Sequence, residues 1–174
     1  MPERCDIWRN AHDELIMQSL DTSVIENIKI VNARYFHEKS GSSIELNYKI
    51  YGNGILKIKQ TLYPSGAENP ELPRFGMKVS INETFDNLEW FGRGPHESYW
   101  DRKTSAKIDR YKGKVIDQTY KYVRPQETGN KTDIRWLALY NGSIGLMVKG
   151  LPVFDGSVHH YDCLLYTSDA ADDS

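Results

Sequence analysis

Ile44-Glu45-Leu46-Asn47-Tyr48-Lys49-Ile50, then Gly52-Asn53-Gly54, then Leu56-Lys57-Ile58-Lys59 with Leu62 beyond, is the stretch that decides the fold class. Apolar and polar residues alternate through both runs. A period of two sends successive side chains to opposite faces, which marks a strand with one buried face. The glycines and asparagine between the runs accept positive φ at little cost, so the two runs read as a β-hairpin. A second hairpin is signalled downstream, where Trp136, Ala138 and Tyr140 lead through Asn141-Gly142 into Ile144, Leu146 and Val148. Asn-Gly between alternating runs is the strongest short-range hairpin signal.

Outward from these hairpins the chain stays β-like. Ile28, Ile30, Val31, Tyr35 and Phe36 predict a strand with a polar interruption at Asn32–Arg34, ending in the turn Lys39-Ser40-Gly41-Ser42. Pro64 to Pro73 reads as a loop, and further strands are expected at Phe75–Ile81, Leu88–Phe91 and Val153–His160. Residues 92–133 are polar with little periodicity. Residues 1–23 form a polar leading segment in which Trp8, Leu15, Ile16 and Leu20 can make a short helix. No helix is expected after residue 23. The expected fold class is all-β, an antiparallel β-sandwich over residues 24–162.

Composition narrows the function classes. With 39% hydrophobic and 26% charged residues, the chain has a soluble globular profile. A formal net charge of −2 gives no electrostatic reason to expect nucleic acid or an anionic membrane as partner. No apolar run approaches the roughly 20 residues of a membrane helix. The opening MPERCDIWRNAHDE has no charged-then-apolar leader pattern, so the expectation is cytoplasmic. Cys5 and Cys163 make neither a disulfide framework nor a metal knuckle.

Two polar stretches can carry chemistry. In the first, Gly92-Arg93-Gly94-Pro95-His96-Glu97-Ser98-Tyr99-Trp100-Asp101-Arg102, special backbone residues crowd Glu97, Asp101 and Arg102 into a short arc after a strand. In the second, Gln126, Glu127 and Asn130 are followed by Asp133 and Arg135. Such side chains offer paired donors and acceptors to sugar hydroxyls. They serve equally well as ion-paired anchors that pin a loop to a sheet. Glycoside hydrolysis needs two carboxylates, one with a raised pKa. Here Glu97 lies between Arg93 and Arg102, Asp101 precedes Arg102, and Asp133 lies near Arg135; pairing of this kind lowers a carboxyl pKa and makes a poor general acid. The adjacent His159 and His160 point to opposite faces of a strand and cannot chelate one metal from the same side.

Trp90-Phe91-Gly92-Arg93-Gly94-Pro95-His96-Glu97-Ser98-Tyr99-Trp100-Asp101-Arg102 resembles a segment of the large five-domain bacterial β-galactosidases of glycoside hydrolase family 2. The resemblance continues through Asp117-Gln118-Thr119-Tyr120, Tyr122-Val123, Arg124-Pro125-Gln126-Glu127-Thr128-Gly129-Asn130 and Asp133-Ile134-Arg135-Trp136, and covers roughly residues 1–162. It implies the C-terminal, small-chain region (domain 5), a sandwich of the galactose mutarotase-like supersandwich type, here incomplete. It also implies a parent that hydrolyses terminal β-galactosides such as lactose with retention. The catalytic glutamates, and the magnesium and sodium sites, would lie on a separate barrel domain of about 250 residues, which this chain is too short to hold. The resemblance therefore carries no catalytic residue and no metal ligand to this chain. Its partners would be the barrel domain, the galactoside and, in the full-length enzyme, further copies. The piece alone is expected to be inactive. Glu97, Asp101, Arg102, Gln126, Glu127, Asn130 and Arg135 are the candidate sugar contacts or anchors. A stand-alone carbohydrate-binding module and a mutarotase-like isomerase are the alternatives. Residues 163–174 do not resemble the family's continuation; they resemble a translated sequencing adapter and are expected to be a non-native tail. The chain is thus expected to be cut at both ends, and a sandwich so interrupted exposes an edge and part of its core.

Overall fold

In the computed structural model, which describes residues 3–66, 69–123 and 126–161, the chain is all-β: eight strands form two antiparallel sheets. The chain divides into two compact units, 1–78 and 79–174. The expected tail, Cys163, Arg124 and Pro125 lie outside the described residues.

The first unit is a meander of β1 (Leu15–Ile25), β2 (Ile28–His37), β3 (Ser42–Ile50) and β4 (Leu56–Tyr63), in that spatial order. The deciding stretch forms the β3–β4 hairpin, with Tyr48 opposite Ile58 and Leu46 opposite Gln60. Directly opposed residues share a face. Leu46, Tyr48 and Ile50 therefore line one face with Leu56 and Ile58, and with Ala33 and Val31 of β2. Arg34 and Glu45 pair on the other face, beside an Asn32–Asn47 hydrogen bond. Asn32 and Arg34, expected to interrupt β2, are simply its polar-face positions, and the strand runs through them unbroken.

The expected N-terminal helix is corrected. A short 3-10 helix spans Glu3–Trp8, and Leu15, Ile16 and Leu20 belong to β1. The β1–β2 register shifts between Met17 and Ser19, so Met17 and Leu20, three apart, fall on the same face opposite Tyr35 and Ala33. A bulge inserts one extra residue, so Ile16 and Leu20, four apart as on a helix face, instead meet Phe36 and Ala33 on opposite faces of the sheet. His37 is buried at the end of β2. It contacts Ser40 Oγ through Nδ1 at 2.8 Å and Glu14 Oε2 through Nε2 at 3.2 Å, and it stacks on Trp8.

The second unit orders its strands β6-β5-β7-β8: β5 Asn87–Gly94, β6 Lys107–Lys114, β7 Lys131–Tyr140 and β8 Gly145–Gly156. The Asn141-Gly142 hairpin joins β7 to β8 as expected, with Leu137 opposite Val148. Leu88, Trp90, Val115, Ile134, Leu137 and Leu139 form its core. Three readings are corrected here. Phe75–Ile81 is irregular: its alternating residues find no neighbouring strand among the described residues, and Phe75, Met77 and Val79 stay exposed. Strand β6 went unread because Lys107, Asp109, Arg110, Lys112 and Lys114 hide its period, a composition suited to the edge strand it is. The last strand starts earlier than expected and continues from the hairpin to Gly156, leaving residues 157–160 outside it.

Candidate functional site

Two connections in the second unit carry the polar residues. One runs from Gly94 at the end of β5 to Lys107; the other runs from Lys114 at the end of β6 to Lys131. They are bolted together at Ser98. Its backbone N–H donates to Asn130 O at 2.8 Å, and Asn130 Nδ2 donates back to Ser98 O at 2.8 Å. Ser98 Oγ lies 2.9 Å from Thr132 Oγ1 and accepts from Thr132 N–H at 3.1 Å. Ser98 and Thr132 are fully buried, and their hydroxyls and the Ser98 backbone are paired within this clasp, as burial demands.

Glu97 sits on top of the clasp. The Tyr122 hydroxyl and the Arg102 guanidinium, the latter at 3.2 Å, donate to its Oε1. Gly129 N–H at 2.8 Å and Thr128 Oγ1 at 3.2 Å donate to its Oε2. Burial alone would raise the carboxyl pKa; hydrogen bonds from Tyr122, Gly129 and Thr128 and the Arg102 charge outweigh it, so Glu97 is held below the usual range. Gly129 is required where it stands. Its φ is +74°, and a Cβ would fall 2.4 Å from Gln118 O, so any side chain would push away the donor that Glu97 uses. Thr128 Oγ1 also accepts from Tyr120 N–H at 2.7 Å, and Thr128 O accepts from His159 Nε2 at 2.9 Å.

A second ion cluster anchors the base of the first connection. Arg93 Nε donates to Asp133 at 2.5 Å, and Arg93 Nη1 donates to Lys103 O and Ala106 O. Lys103 adds a longer contact to Asp133 at 3.4 Å. The Arg93 hydrogen bond, helped by Lys103, holds the Asp133 carboxyl low despite partial burial. Lys131, 3% exposed, lies over the Trp90 ring at 5.2 Å and reaches Gly129 O at 3.4 Å. Burial lowers its pKa to about 8 against the pull of Glu97.

The sequence candidates divide accordingly. Glu97, Arg102 and Asn130 meet in this network. Glu127 is half-buried nearby, its charge acting on Tyr99 and His159. Asp101 is exposed at the tip of the turn closed by Tyr99 and Arg102 and does not pair with its neighbour Arg102, whose partner is Glu97. Gln126 is exposed. Arg135 leaves the network: it donates to Asp133 O and lies over Phe91, while the Asp133 carboxylate turns to Arg93. Tyr122, Thr128, Gly129, Ser98, Thr132 and Lys131 were not read as site residues. Only the glycine carried a signal, since a glycine between polar residues marks a backbone that no other residue fits. His159 and His160 lie outside the strand expected to separate them, the first bonded to Thr128 O and the second to Asp86 at 3.2 Å.

The two enclosed carboxylates, Glu97 and Asp133, are both stabilised as anions, and neither has the raised pKa of a general acid.

A family model described as β-galactosidase small chain matches residues 2–169. The chain belongs to this family. The β-galactosidase of Priestia megaterium is 42% identical over 154 residues, 88% of this chain and 15% of that protein. The β-galactosidase of an Arthrobacter species is 30% identical over 141 residues, 79% of this chain and 14% of that protein. That of Halalkalibacterium halodurans is 29% identical over 119 residues, 67% of this chain and 12% of that protein. The chain thus spans about one seventh of the length of the β-galactosidases it matches. The small-chain family membership agrees with an all-β chain of two antiparallel sheets.

Proposed function

We propose that this chain is the scaffold portion of a retaining β-galactosidase that cleaves terminal β-D-galactose from lactose-type substrates in carbohydrate catabolism. It contributes no catalytic carboxylate. The nucleophile, the acid, and any magnesium or sodium would be held by a separate barrel domain. The assembled enzyme would be an oligomer working in the cytoplasm. The observation that carries the scaffold reading is the saturation of Glu97: four donors occupy its two oxygens, leaving a fixed anion rather than a proton carrier. In this reading Glu97, Arg102, Asn130 and Ser98 keep two long connections in one shape, and that shape forms a wall for the neighbouring domain.

The test has two arms. The chain alone is assayed with o-nitrophenyl β-D-galactoside, and no turnover is expected; hydrolysis by the purified chain would overturn the scaffold reading. In the second arm these residues replace the matching segment of the Priestia megaterium relative. The chimera is expected to hydrolyse the same substrate. A folded, correctly assembled chimera without activity would count against the assignment to this enzyme.

A further inference from the structure

Arg135 was singled out by sequence; its Nη1 donates to Asp133 O at 2.6 Å, and it has no carboxylate partner among the described residues. It belongs to the face of the second sheet opposite the Leu88–Trp90–Leu137 core. The strand registers put Arg110, Phe91, Trp136 and Lys149 in one row across all four strands: Arg110 opposite Phe91, Phe91 opposite Trp136, Trp136 opposite Lys149. A register shift between Ile134 and Trp136 brings Arg135 to the same face, with its guanidinium 5.7 Å from the Phe91 ring centre. Arg110 lies 5.8 Å from the Trp136 ring centre. Lys112 occupies the next row, opposite Glu89. Phe91 and Lys149 are exposed, and Trp136 is partly so.

The geometry points to a binding face for an acidic oligosaccharide on this outer surface, centred on Phe91 and Trp136. Phe91 and Trp136 are neighbours in a row that ends in Arg110 on one side and Lys149 on the other, with Arg135 over the Phe91 ring and Arg110 over the Trp136 ring. Ring faces are electron-rich and attract the weakly positive C–H face of a pyranose. Carboxylate or sulfate groups at the sugar rim would meet Lys149, Lys112 and Arg135. Glu89 is the one carboxylate on these two rows, and it is taken by Arg110. Lys112 and Lys149 have no carboxylate partner among the described residues. An extended peptide is the poorer fit, because peptides add to a sheet edge or lie in a groove, and this is an open face. A nucleic acid is disfavoured by a chain of net charge −2 with only three cations here, Lys112, Lys149 and Arg135, that lack a carboxylate partner among the described residues.

The inference does not require a galactose-configured ligand, so both configurations are titrated. The full chain, ¹⁵N-labelled, receives trigalacturonate, a hyaluronan hexasaccharide, neutral galactotriose and an oligo-dT at one salt concentration. Both acidic saccharides, or one of them, are expected to shift the Trp136 indole resonance and the amides of Phe91, Arg110 and Lys149, with galactotriose weaker. Lys149→Gln and Lys112→Gln, both exposed and harmless to the core, are each expected to weaken binding roughly two- to fivefold. Lys57→Gln on the first sheet leaves it unchanged. Binding of hyaluronan but not trigalacturonate supports the face while counting against a galactoside-handling protein. No shift with either acidic saccharide overturns the inference. So does oligo-dT binding as tightly, or Lys57→Gln weakening binding as much as Lys149→Gln.

Discussion

The two sheets have the same strand number and the same antiparallel pairing, yet they treat their apolar faces differently. In the second unit Leu88, Trp90 and Ile134 are at most 2% exposed. In the first, on a face that also carries Thr22, Lys29 and Gln60, Leu20 is 57% exposed, Val24 67% and Leu56 52%. The difference comes from the connections. In the second unit Val115, Phe85 and Val158, all outside the strands, pack with the core residues. The meander of the first unit has tight turns between its strands and correspondingly little chain to cover its face. Alternation in sequence therefore specifies which side of a strand is apolar, and it takes separate covering chain to make that side a core.

Ile134→Ala tests the comparison hardest. A fully buried isoleucine truncated to alanine loses its transfer energy and leaves a cavity, so unfolding of the second unit should become about 2–5 kcal/mol easier in urea titration. Leu56→Ala in the first unit should cost less than about 1 kcal/mol, because more than half of that side chain already faces water. Equal losses would break the contrast.

Lys131 gives the next largest effect. Its folded pKa, about 8, lies below the 10.5 of the free side chain, so the unfolded chain binds the extra proton. Stability should then rise with pH between about 8 and 10.5, by at most about 3 kcal/mol. Urea midpoints across that range should climb in the parent and stay flat in Lys131→Met, which should also be the more stable of the two at pH 7.

Glu97→Gln is expected to destabilise the second unit by about 1–3 kcal/mol, since an amide cannot accept from all four donors. The pH dependence has the opposite sense. The folded pKa of Glu97 is depressed below 4.5, so its contribution is present above that value and lost as pH falls through the folded pKa. Thermal melts of parent and variant should converge in acid; a constant gap would mean that the charge is not what matters.

The smallest effect sharpens the same comparison. Backbone amides of β5 and β7, over the core, should exchange with solvent more slowly than those of β2 and β3, although both pairs are central strands. Equal protection would show that the first sheet is covered as well as the second.

Both hairpins were legible because each is local: a period of two and a turn made of Gly and Asn suffice. Strand β1 was misread because a bulge shifts its phase at Met17–Ser19, and a register shift is visible only against a partner. Strand β6 was hidden by the charges that protect an edge, and Phe75–Ile81 had the pattern of a strand but no neighbour to pair with among the described residues. The site followed the same rule. Glu97, Arg102 and Asn130 could be picked out by residue type, while the pairing could not. Asp133 is two residues from Arg135, yet its carboxylate goes to Arg93, forty residues away.

The sequence by itself determined the all-β class, the β3–β4 and β7–β8 hairpins and, through its motif at 90–136, the family, because these depend on neighbours along the chain. Only the tertiary structure decided which carboxylate meets which cation, that Glu97 is saturated, that Lys131 is buried, and that Arg110, Phe91, Trp136 and Lys149 align in one row. Those facts depend on register and burial, which are properties of strands lying side by side and not of any one strand.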